Sequence, residues 1–144
     1  MAWVVDSCVV LDIALDDPAF GASSAKCLSH VVRDGLFLCP VTQIEIAPCF
    51  NGDMRHIRAF ASLLGAQLTM DWLPIDTECA MKAWHAHIVQ KKKGEAKRRP
   101  VADVLIGAFA LRVGGLITRN RKHFAALYPS LKILDASFVK TATS

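Results

Sequence analysis

The stretch PVADVLIGAFALRVGGLIT, residues 100–118, decides the fold. Pro100 opens a strongly apolar helix that runs to Arg112, and a glycine pair at residues 114–115 closes it. The run that follows, residues 116–118, is short, apolar and typical of a buried strand. A long helix that leads directly into a buried strand is part of a β-α-β crossover. The stretch therefore predicts a parallel sheet covered by helices.

The rest of the chain alternates short apolar runs with segments of helical periodicity. The predicted strands are residues 3–5, 36–39, 72–73, 116–118 and 132–134. The predicted helices are residues 8–15, 19–33, 42–50, 54–67, 77–90 and 100–112. Strands that are separated by long helical stretches cannot pair as hairpins. We therefore expect an α/β fold, a three-layer α/β/α sandwich with a mostly parallel sheet.

Length and composition indicate one globular domain over residues 1–144, with about 137–144 as a tail. Of the 144 residues, 53% are hydrophobic and the mean hydropathy is +0.32, so the chain has enough apolar surface to offset the entropy of ordering. Its purest apolar stretch, residues 104–111, is far shorter than the ~20 residues that cross a membrane. Asp6 interrupts the early apolar run, so we expect no secretory signal peptide.

The sequence contains five cysteines, an odd number, and none of them forms a C-x-x-C pair. A zinc knuckle needs closely spaced pairs, so a site of that kind is not expected. Four of the five cysteines have apolar neighbours, which is typical of buried, reduced thiols. We therefore expect a cytoplasmic protein.

The net charge of +4 is unevenly distributed along the chain. Residues 91–99 hold six basic residues and one acidic residue, and a second basic group is formed by Arg119, Arg121 and Lys122. Such asymmetry indicates contact with a polyanion, although a lone basic run can also be a solvated loop. The run lies immediately before the helix that begins at Pro100, and this position favours a nucleic acid contact. The candidate contacts are Lys97, Arg98, Arg99, Arg119 and Arg121.

Four polar residues are expected where a strand ends or a helix begins, namely Asp6, Glu45, Asp103 and Asn120. In an open parallel sheet, the carboxyl ends of the strands form the crevice in which ligands bind. Although these residues are far apart in the sequence, their side chains are therefore predicted to converge on one point.

Each of these residues also has a purely structural interpretation. Asp6 can cap the helix that follows it, and Glu45 can complete a capping box that starts at Thr42. Asp103 would face the positive end of a helix dipole, and Asn120 can be a turn residue.

The composition of the helix around Asp103 weakens these interpretations when they are taken together. Apart from Asp103, residues 100–110 contain no polar side chain, so this helix is expected to be buried nearly all round. A lone carboxylate there is costly unless it is paired or binds a metal ion. Clustered carboxylates without paired Cys or His favour Mg²⁺ or Mn²⁺.

Four segments resemble, in order and spacing, the PIN-domain nucleases, especially the VapC-type toxins of bacterial toxin–antitoxin pairs. They are residues 4–7 (Val-Val-Asp-Ser), 41–45 (Val-Thr-Gln-Ile-Glu), 100–108 (Pro-Val-Ala-Asp-Val-Leu-Ile-Gly-Ala) and 116–120 (Leu-Ile-Thr-Arg-Asn). The resemblance covers nearly the whole chain. It implies a PIN-like nuclease domain with an acidic pocket, acting as a divalent-metal-dependent endoribonuclease with Mg²⁺ or Mn²⁺. The partners that it implies are an RNA substrate, a cognate antitoxin protein and a second copy of the chain in a homodimer.

By position, the resemblance assigns the metal ion to Asp6, Glu45 and Asp103, and it adds Asn120 to the catalytic set. Asp6 and Asp103 would hold the principal ion, and Glu45 would orient the attacking water or complete the ion's shell. Hydrolysis of a phosphodiester needs such an activated water, together with compensation for the charge on the phosphoryl oxygens.

The resemblance also names the residues that surround these acids. Ser7 and Thr118 would support them as polar neighbours. The family's fourth position is usually acidic or Asn, and an acid often follows three residues later, whereas this chain has Asn120 and His123. The lower negative charge disfavours a second cation and places His123 at the rim of the pocket. Arg119 adjoins the pocket and is the best candidate for a phosphate contact, with a surface ion pair as the alternative.

Other functions are weighed against this one. The main alternative is a PIN-like module that binds RNA through its basic residues but has lost efficient catalysis with the fourth acid. A nuclease of the same fold that acts on DNA is a further alternative. A haloacid-dehalogenase-type phosphatase is disfavoured, because it needs an aspartate two residues after the first one, where this chain has Cys8.

Overall fold

The computed structural model describes residues 1–69, 71–92 and 101–138. Within these ranges the strands are β1 (Ala2–Val5), β2 (Leu36–Phe37), β3 (Ala66–Gln67), β4 (Gly114–Thr118) and β5 (Lys132–Asp135). The α-helices are α1 (Ser7–Ala14), α2 (Gly21–Val31), α3 (Pro40–Ile46), α4 (Met54–Leu64), α5 (Pro74–Lys92), α6 (Val101–Val113) and α7 (Arg121–Leu127). Short 3-10 turns are formed by Val32–Asp34, Ala47–Phe50 and Ala136–Phe138.

The strands form one sheet in the order β3-β2-β1-β4-β5, and every neighbouring pair is parallel. Helices α1, α2 and α4 pack on one face, and α5, α6 and α7 pack on the other. This confirms the predicted three-layer α/β/α sandwich, with a sheet that is wholly rather than mostly parallel. The chain winds outward from β1 to β3 and returns to β4 on the other side of β1. The strand order therefore reverses between β1 and β4, where open sheets of this type bind their ligands.

The two central strands are buried on both faces. Val5 and Ile117 contribute to the core under α1, α2 and α4, whereas Val4 and Leu116 contribute to the opposite core. All four side chains are fully buried. Burial on both faces explains why these strands appear in the sequence as continuous apolar runs rather than as an alternation of polar and apolar residues.

The helix that was predicted over residues 54–67 ends earlier, and its last residues form the edge strand β3 instead. Gly65 ends α4 in the left-handed conformation, with φ at +74°, and its N–H bonds back to the carbonyl of Ala61. Glycine adopts this conformation without the steric cost that other residues pay. The two residues beyond it then pair with β2.

The strand that was predicted at residues 72–73 is wrong, because these residues lead into α5. The backbone N–H of Leu73 donates to Oδ2 of Asp76 at 2.9 Å, and the indole N–H of Trp72 donates to Oγ1 of Thr77 at 2.8 Å. Donors that are used to start a helix are not available to a neighbouring strand. Apolar character alone therefore does not distinguish a strand from the segment that leads into a helix.

The five cysteines all lie within the described ranges and are unpaired. Cys27 and Cys39 are buried, and Cys8 and Cys79 are partly buried. Cys49 is exposed, so four of the five thiols are buried or partly buried.

The predicted tail begins at about residue 137. Ala136 is fully buried, so the core extends at least to this position, and residues 139–144 lie outside the described part of the chain. Within the described ranges, no helix combines the length and the apolar character that crossing a membrane requires.

Candidate active site

Asp6 lies at the carboxyl end of β1 and caps α1. Its Oδ1 accepts a hydrogen bond from the backbone N–H of Ser7 at 2.8 Å, so the capping interpretation accounts for one oxygen. The other oxygen, Oδ2, accepts from the hydroxyl of Thr118 at 2.7 Å and lies 3.2 Å from the thiol of Cys8. Burial raises the pKa of Asp6, the hydrogen bond from Thr118 opposes this shift, and the charge of Asp103 adds to it.

Thr118 joins the ends of the two central strands. Because Val5 pairs with Ile117 in the parallel register, the next residues of the two strands, Asp6 and Thr118, lie side by side. The Thr118 hydroxyl is fully buried and, besides donating to Asp6, accepts from the backbone N–H of Asn120 at 3.0 Å. Thr118 therefore orients the Asp6 carboxylate and fixes the first residues after β4.

Glu45 lies on α3, which begins at Pro40 because proline favours the first position of a helix. The capping-box interpretation of Glu45 is wrong. Thr42 lies inside the helix, and its buried hydroxyl finds no hydrogen-bond partner among the described residues. Oε1 of Glu45 instead accepts a hydrogen bond from the hydroxyl of Ser7. The structure thus places Glu45 beside Ser7, the residue that follows Asp6.

Asp103 lies in the first turn of α6, and its Oδ2 is 3.0 Å from Nε2 of His123. His123 belongs to α7, so this contact links the helices that precede and follow β4. The two side chains are 32% and 36% exposed, respectively, and are open to solvent at the edge of the sheet. The lone acid of the apolar helix is therefore paired with an imidazole.

Tyr128 is a residue that sequence reasoning missed. Its hydroxyl donates to the main-chain carbonyl of Val104, the residue after Asp103. Its ring lies against Gly107, where the Cβ of any other residue would overlap the ring carbons. Tyr128 and Gly107 therefore set the position of the α6 turn that carries Asp103. The available signal was a glycine in the middle of an otherwise apolar helix.

The three predicted acids lie at one edge of the sheet, but each is engaged by a different protein group. Thr118 donates to Asp6, Ser7 donates to Glu45, and His123 contacts Asp103. Within the described ranges, no three carboxylate, imidazole or thiol side chains form a group that would hold a metal ion. The predicted three-acid site stays a prediction.

The chemistry of one pair of these acids fits a divalent cation. The Asp6 and Asp103 carboxylates are close enough for their charges to interact, and Asp6 is buried with a raised pKa. A hard cation would offset both the desolvation of Asp6 and the repulsion between the two carboxylates.

Arg119, the predicted phosphate contact, forms an ion pair with another side chain of the protein. Its Nε donates to Oδ2 of Asp12 at 2.6 Å, and its Nη2 donates to Oδ1 at 3.0 Å. Its guanidinium carbon lies 4.0 Å from the centroid of the Phe20 ring. The structure therefore contains the ion pair that was the alternative for this residue. Asp12 was missed in the sequence, where its signal was a lone acid inside the apolar helix predicted over residues 8–15.

Arg121, the one other predicted contact that the structure describes, lies at a polar cavity of about 460 Å³ at the same edge. The cavity is lined by Arg119, Asn120, Arg121, Lys122, His123, Asp135 and Ser137. Arg121 donates one N–H to the carbonyl of Ile133, and Lys122 is exposed. Asn120 precedes α7, and its side chain makes no capping bond to the described helix. Lys97, Arg98 and Arg99 lie outside the described residues.

Two solved structures share this fold over nearly their whole length. The structure of VapBC2 from Rickettsia felis, bound to a DNA fragment from their promoter, has a TM-score of 0.70 at 16% identity, and the match covers 94% of this chain and 98% of that chain. The structure of VapBC-1 from nontypeable Haemophilus influenzae has a TM-score of 0.67 at 20% identity, and the match covers 95% of this chain and 99% of that chain. At these identities the likeness is one of fold.

Sequence comparison identifies the family. No curated protein matches the chain in sequence. The sequence pattern of the PIN domain, however, matches residues 3–128. This range contains Asp6, Glu45 and Asp103, and it includes all of β4 and all of β1 except its first residue. The chain therefore belongs to the PIN-domain family.

Proposed function

We propose that this protein is a divalent-metal-dependent endoribonuclease and the toxin of a type II toxin–antitoxin pair. Membership in the PIN-domain family supports nuclease activity. The likeness of fold to the two VapBC structures supports the toxin assignment. The observation that carries the proposal is the buried Asp6 carboxylate, which Thr118 holds at the reversal of strand order and which interacts with the charge of Asp103.

We assign the binding of Mg²⁺ or Mn²⁺ to Asp6 and Asp103, with Glu45 as the third acid. The bound ion would supply a more acidic water and compensation for charge on the phosphoryl oxygens. Thr118 keeps Asp6 oriented and favours its ionised form, because its hydrogen bond lowers the pKa of that carboxyl. His123 orients Asp103 through the 3.0 Å contact. Glu45, beside the start of α1, is the residue assigned to orient the attacking water.

The RNA is proposed to lie across the carboxyl edge of the sheet. Arg121 and Lys122 at the polar cavity, together with the basic run at residues 91–99, would bind the phosphate backbone. Such contacts supply affinity without sequence preference. Asn120, whose amide is not used in a helix cap, is the member of the catalytic set nearest to these basic residues along the chain.

An antitoxin and a second copy of the chain are the proposed protein partners. The antitoxin is inferred from the two VapBC structures of the same fold. The homodimer is supported by an apolar cavity of about 610 Å³ between α3, α5 and α6. The cavity is lined by apolar side chains that are largely exposed, namely Ile44 (74%), Met81 (65%) and Val101 (48%). A cluster of exposed apolar side chains is typical of a protein–protein contact surface. A cytoplasmic location is part of the proposal, because the five cysteines are unpaired.

Cleavage of RNA by the purified chain tests the proposal. We expect cleavage with Mn²⁺ or Mg²⁺, its loss in EDTA, and its recovery when the metal is restored. Asp6→Asn and Asp103→Asn should abolish cleavage while the fold survives. Glu78→Gln is the matched control, because it neutralises an exposed carboxylate on α5 that pairs with Lys82. Cleavage by Asp6→Asn at the wild-type rate would refute the assignment.

The same experiment separates the alternative functions. A catalytically weakened RNA-binding module would bind RNA in EDTA and leave it intact with either metal. A nuclease that acts on DNA would cut a single-stranded DNA of the same sequence faster than the RNA.

A further inference from the structure

We propose that Arg119 and Asp12 form an ion pair that positions Thr118 against Asp6, so that Arg119 is a positioning residue for the metal-binding carboxylate and not a contact to RNA. This inference rests on the proposed function, since it concerns the same carboxylate. Arg119 is the chain neighbour of Thr118, and Asp12 lies on α1, the helix that Asp6 caps.

The surroundings of Asp12 suit an ion pair with one guanidinium. It is 5% exposed and lies near the carboxyl end of α1, where a helix dipole disfavours negative charge. Both of its oxygens accept from Arg119, and Oδ2 also accepts from the hydroxyl of Ser24 at 3.0 Å. A buried carboxylate is tolerated when its charge is paired and its hydrogen bonds are made. The buried charge of Asp12 therefore needs Arg119 as its partner.

Arg119 is held on a second side by Phe20, whose ring its guanidinium covers at 4.0 Å. Its side chain is 24% exposed. A guanidinium that gives two N–H groups to a buried carboxylate and one face to a ring presents little charge to a phosphate. Its release to RNA would leave Asp12 buried and unpaired, which is costly. We expect the pair to stay intact while RNA binds.

The Asp12–Arg119 pair and the Asp6–Thr118 hydrogen bond hold the same two segments together. Asp6 precedes α1 and Asp12 lies near its other end, while Thr118 and Arg119 are consecutive residues at the end of β4. Two points of contact prevent α1 from rotating relative to the chain that follows β4. The register of β1 and β4 places Thr118 beside Asp6. With the outer contact removed, α1 can shift relative to the end of β4, and the Thr118 hydroxyl is held less firmly against the Asp6 carboxylate. Substitution of a residue that orients a metal ligand typically weakens metal binding by about 10–100-fold.

The chain offers a matched control in a second ion pair of the same construction. Arg112 donates to Asp76 from Nε at 2.7 Å and from Nη2 at 2.9 Å. Asp76 is 1% exposed, and the guanidinium of Arg112 lies 5.2 Å from the centroid of the Phe109 ring. This pair lies at the end of α6 opposite to Asp103. Loss of Arg112 therefore removes an equivalent pair without touching the Asp6 region.

The experiment measures the dissociation constant of Mn²⁺ by calorimetry, together with thermal unfolding, for the full chain and its variants. We expect Arg119→Met and Asp12→Asn each to weaken Mn²⁺ binding by about 10–100-fold. Arg112→Met should lower the unfolding temperature comparably and leave Mn²⁺ affinity unchanged. The double variant Asp12→Asn/Arg119→Met contains no unpaired charge, so it provides the test if a single variant does not fold. Its Mn²⁺ affinity should also lie about 10–100-fold below that of the wild type, and wild-type affinity in this folded double variant would contradict the inference.

RNA binding in EDTA, measured at two salt concentrations, distinguishes the two roles of Arg119. A positioning residue leaves RNA affinity and its salt dependence unchanged. Wild-type Mn²⁺ affinity in Arg119→Met, or reduced RNA affinity with a smaller salt dependence, would overturn the inference. If the wild-type chain does not bind Mn²⁺, or if Asp6→Asn binds it equally well, the proposed metal site fails and this inference fails with it.

Discussion

The hydroxyl of Thr118 lies 2.7 Å from Oδ2 of Asp6 and connects the carboxyl ends of the two central strands. The same hydroxyl accepts from the backbone N–H of Asn120, so it acts as donor to the acid and as acceptor for the chain that follows β4. Both roles need an oxygen in this position. An apolar side chain of the same shape would fill the space but could neither donate to Asp6 nor accept from Asn120.

Replacement of Thr118 by valine should therefore lower Mn²⁺ affinity and the rate of RNA cleavage by about 10–100-fold. The loss of the donor removes a hydrogen bond that lowers the pKa of Asp6, so the ionised carboxylate becomes less favourable. Thr118→Ser keeps the hydroxyl and should retain most of the activity. Calorimetry and single-turnover cleavage measure the two effects. Equal losses in the valine and serine variants would show that the hydroxyl is not the cause.

Asp6→Asn should stabilise the metal-free protein at neutral pH by about 1 kcal/mol. Burial raises the pKa of Asp6, so the ionised form costs folding free energy above the folded-state pKa. This cost disappears below the ordinary value of 3.8, so the difference between variant and wild type should shrink as the pH falls.

Chemical denaturation at several pH values measures this difference. In the same assay, Mn²⁺ should stabilise the wild type and not Asp6→Asn, because only the wild type keeps the carboxylate pair. A variant that is less stable than wild type in metal-free buffer would contradict the prediction.

The layered fold could be predicted from the sequence because its signals are local. The apolar runs that contain Val5 and Ile117 are buried on both faces and are separated by helical segments, so hairpins were excluded at once. The placement of Asp6 at a strand end followed from the same pattern. Gly65 shows the limit of this reasoning, because its left-handed conformation ends α4 and leaves two residues for β3 that look like the continuation of a helix.

The partners of the polar side chains could not be predicted, because they come from distant parts of the chain. The sequence predicts Arg119 as a phosphate contact, whereas in the fold it pairs with Asp12, which is 107 residues away in the sequence. Glu45 matched a capping box in the sequence, yet its carboxylate contacts Ser7, 38 residues away. Such contacts depend on how α1 packs against α3 and against the end of β4, and local residue patterns do not encode this packing.

The thiols should react with iodoacetamide in an order set by exposure and pKa. Cys49 is exposed and should be modified first at pH 8. Burial, with the charge of Asp6 as the next cause, raises the pKa of Cys8 to about 12, and burial raises the pKa of Cys27 and Cys39 to about 11. Because the thiolate is the reactive form, these three should react slowly and speed up as the pH rises. Peptide mapping over time measures the order, and Cys49→Ser should remove the fast phase. Modification of Cys8 as fast as Cys49 would contradict the burial of this thiol.

The apolar cavity between α3, α5 and α6 predicts a variant that separates the proposed homodimer. Met81→Glu places a carboxylate on this surface, where the wild-type side chain is 65% exposed. An unpaired charge buried between two copies costs about 2 kcal/mol or more, which raises the dimer dissociation constant by roughly 30-fold. Leu63→Glu is the control, because Leu63 is 84% exposed but lies on α4, which packs on the other face of the sheet. Light scattering coupled to gel filtration should show a dimer for the wild type and Leu63→Glu, and a monomer for Met81→Glu. A wild-type chain that is monomeric at every concentration, or a dimer that survives Met81→Glu, would exclude this surface as the contact between copies.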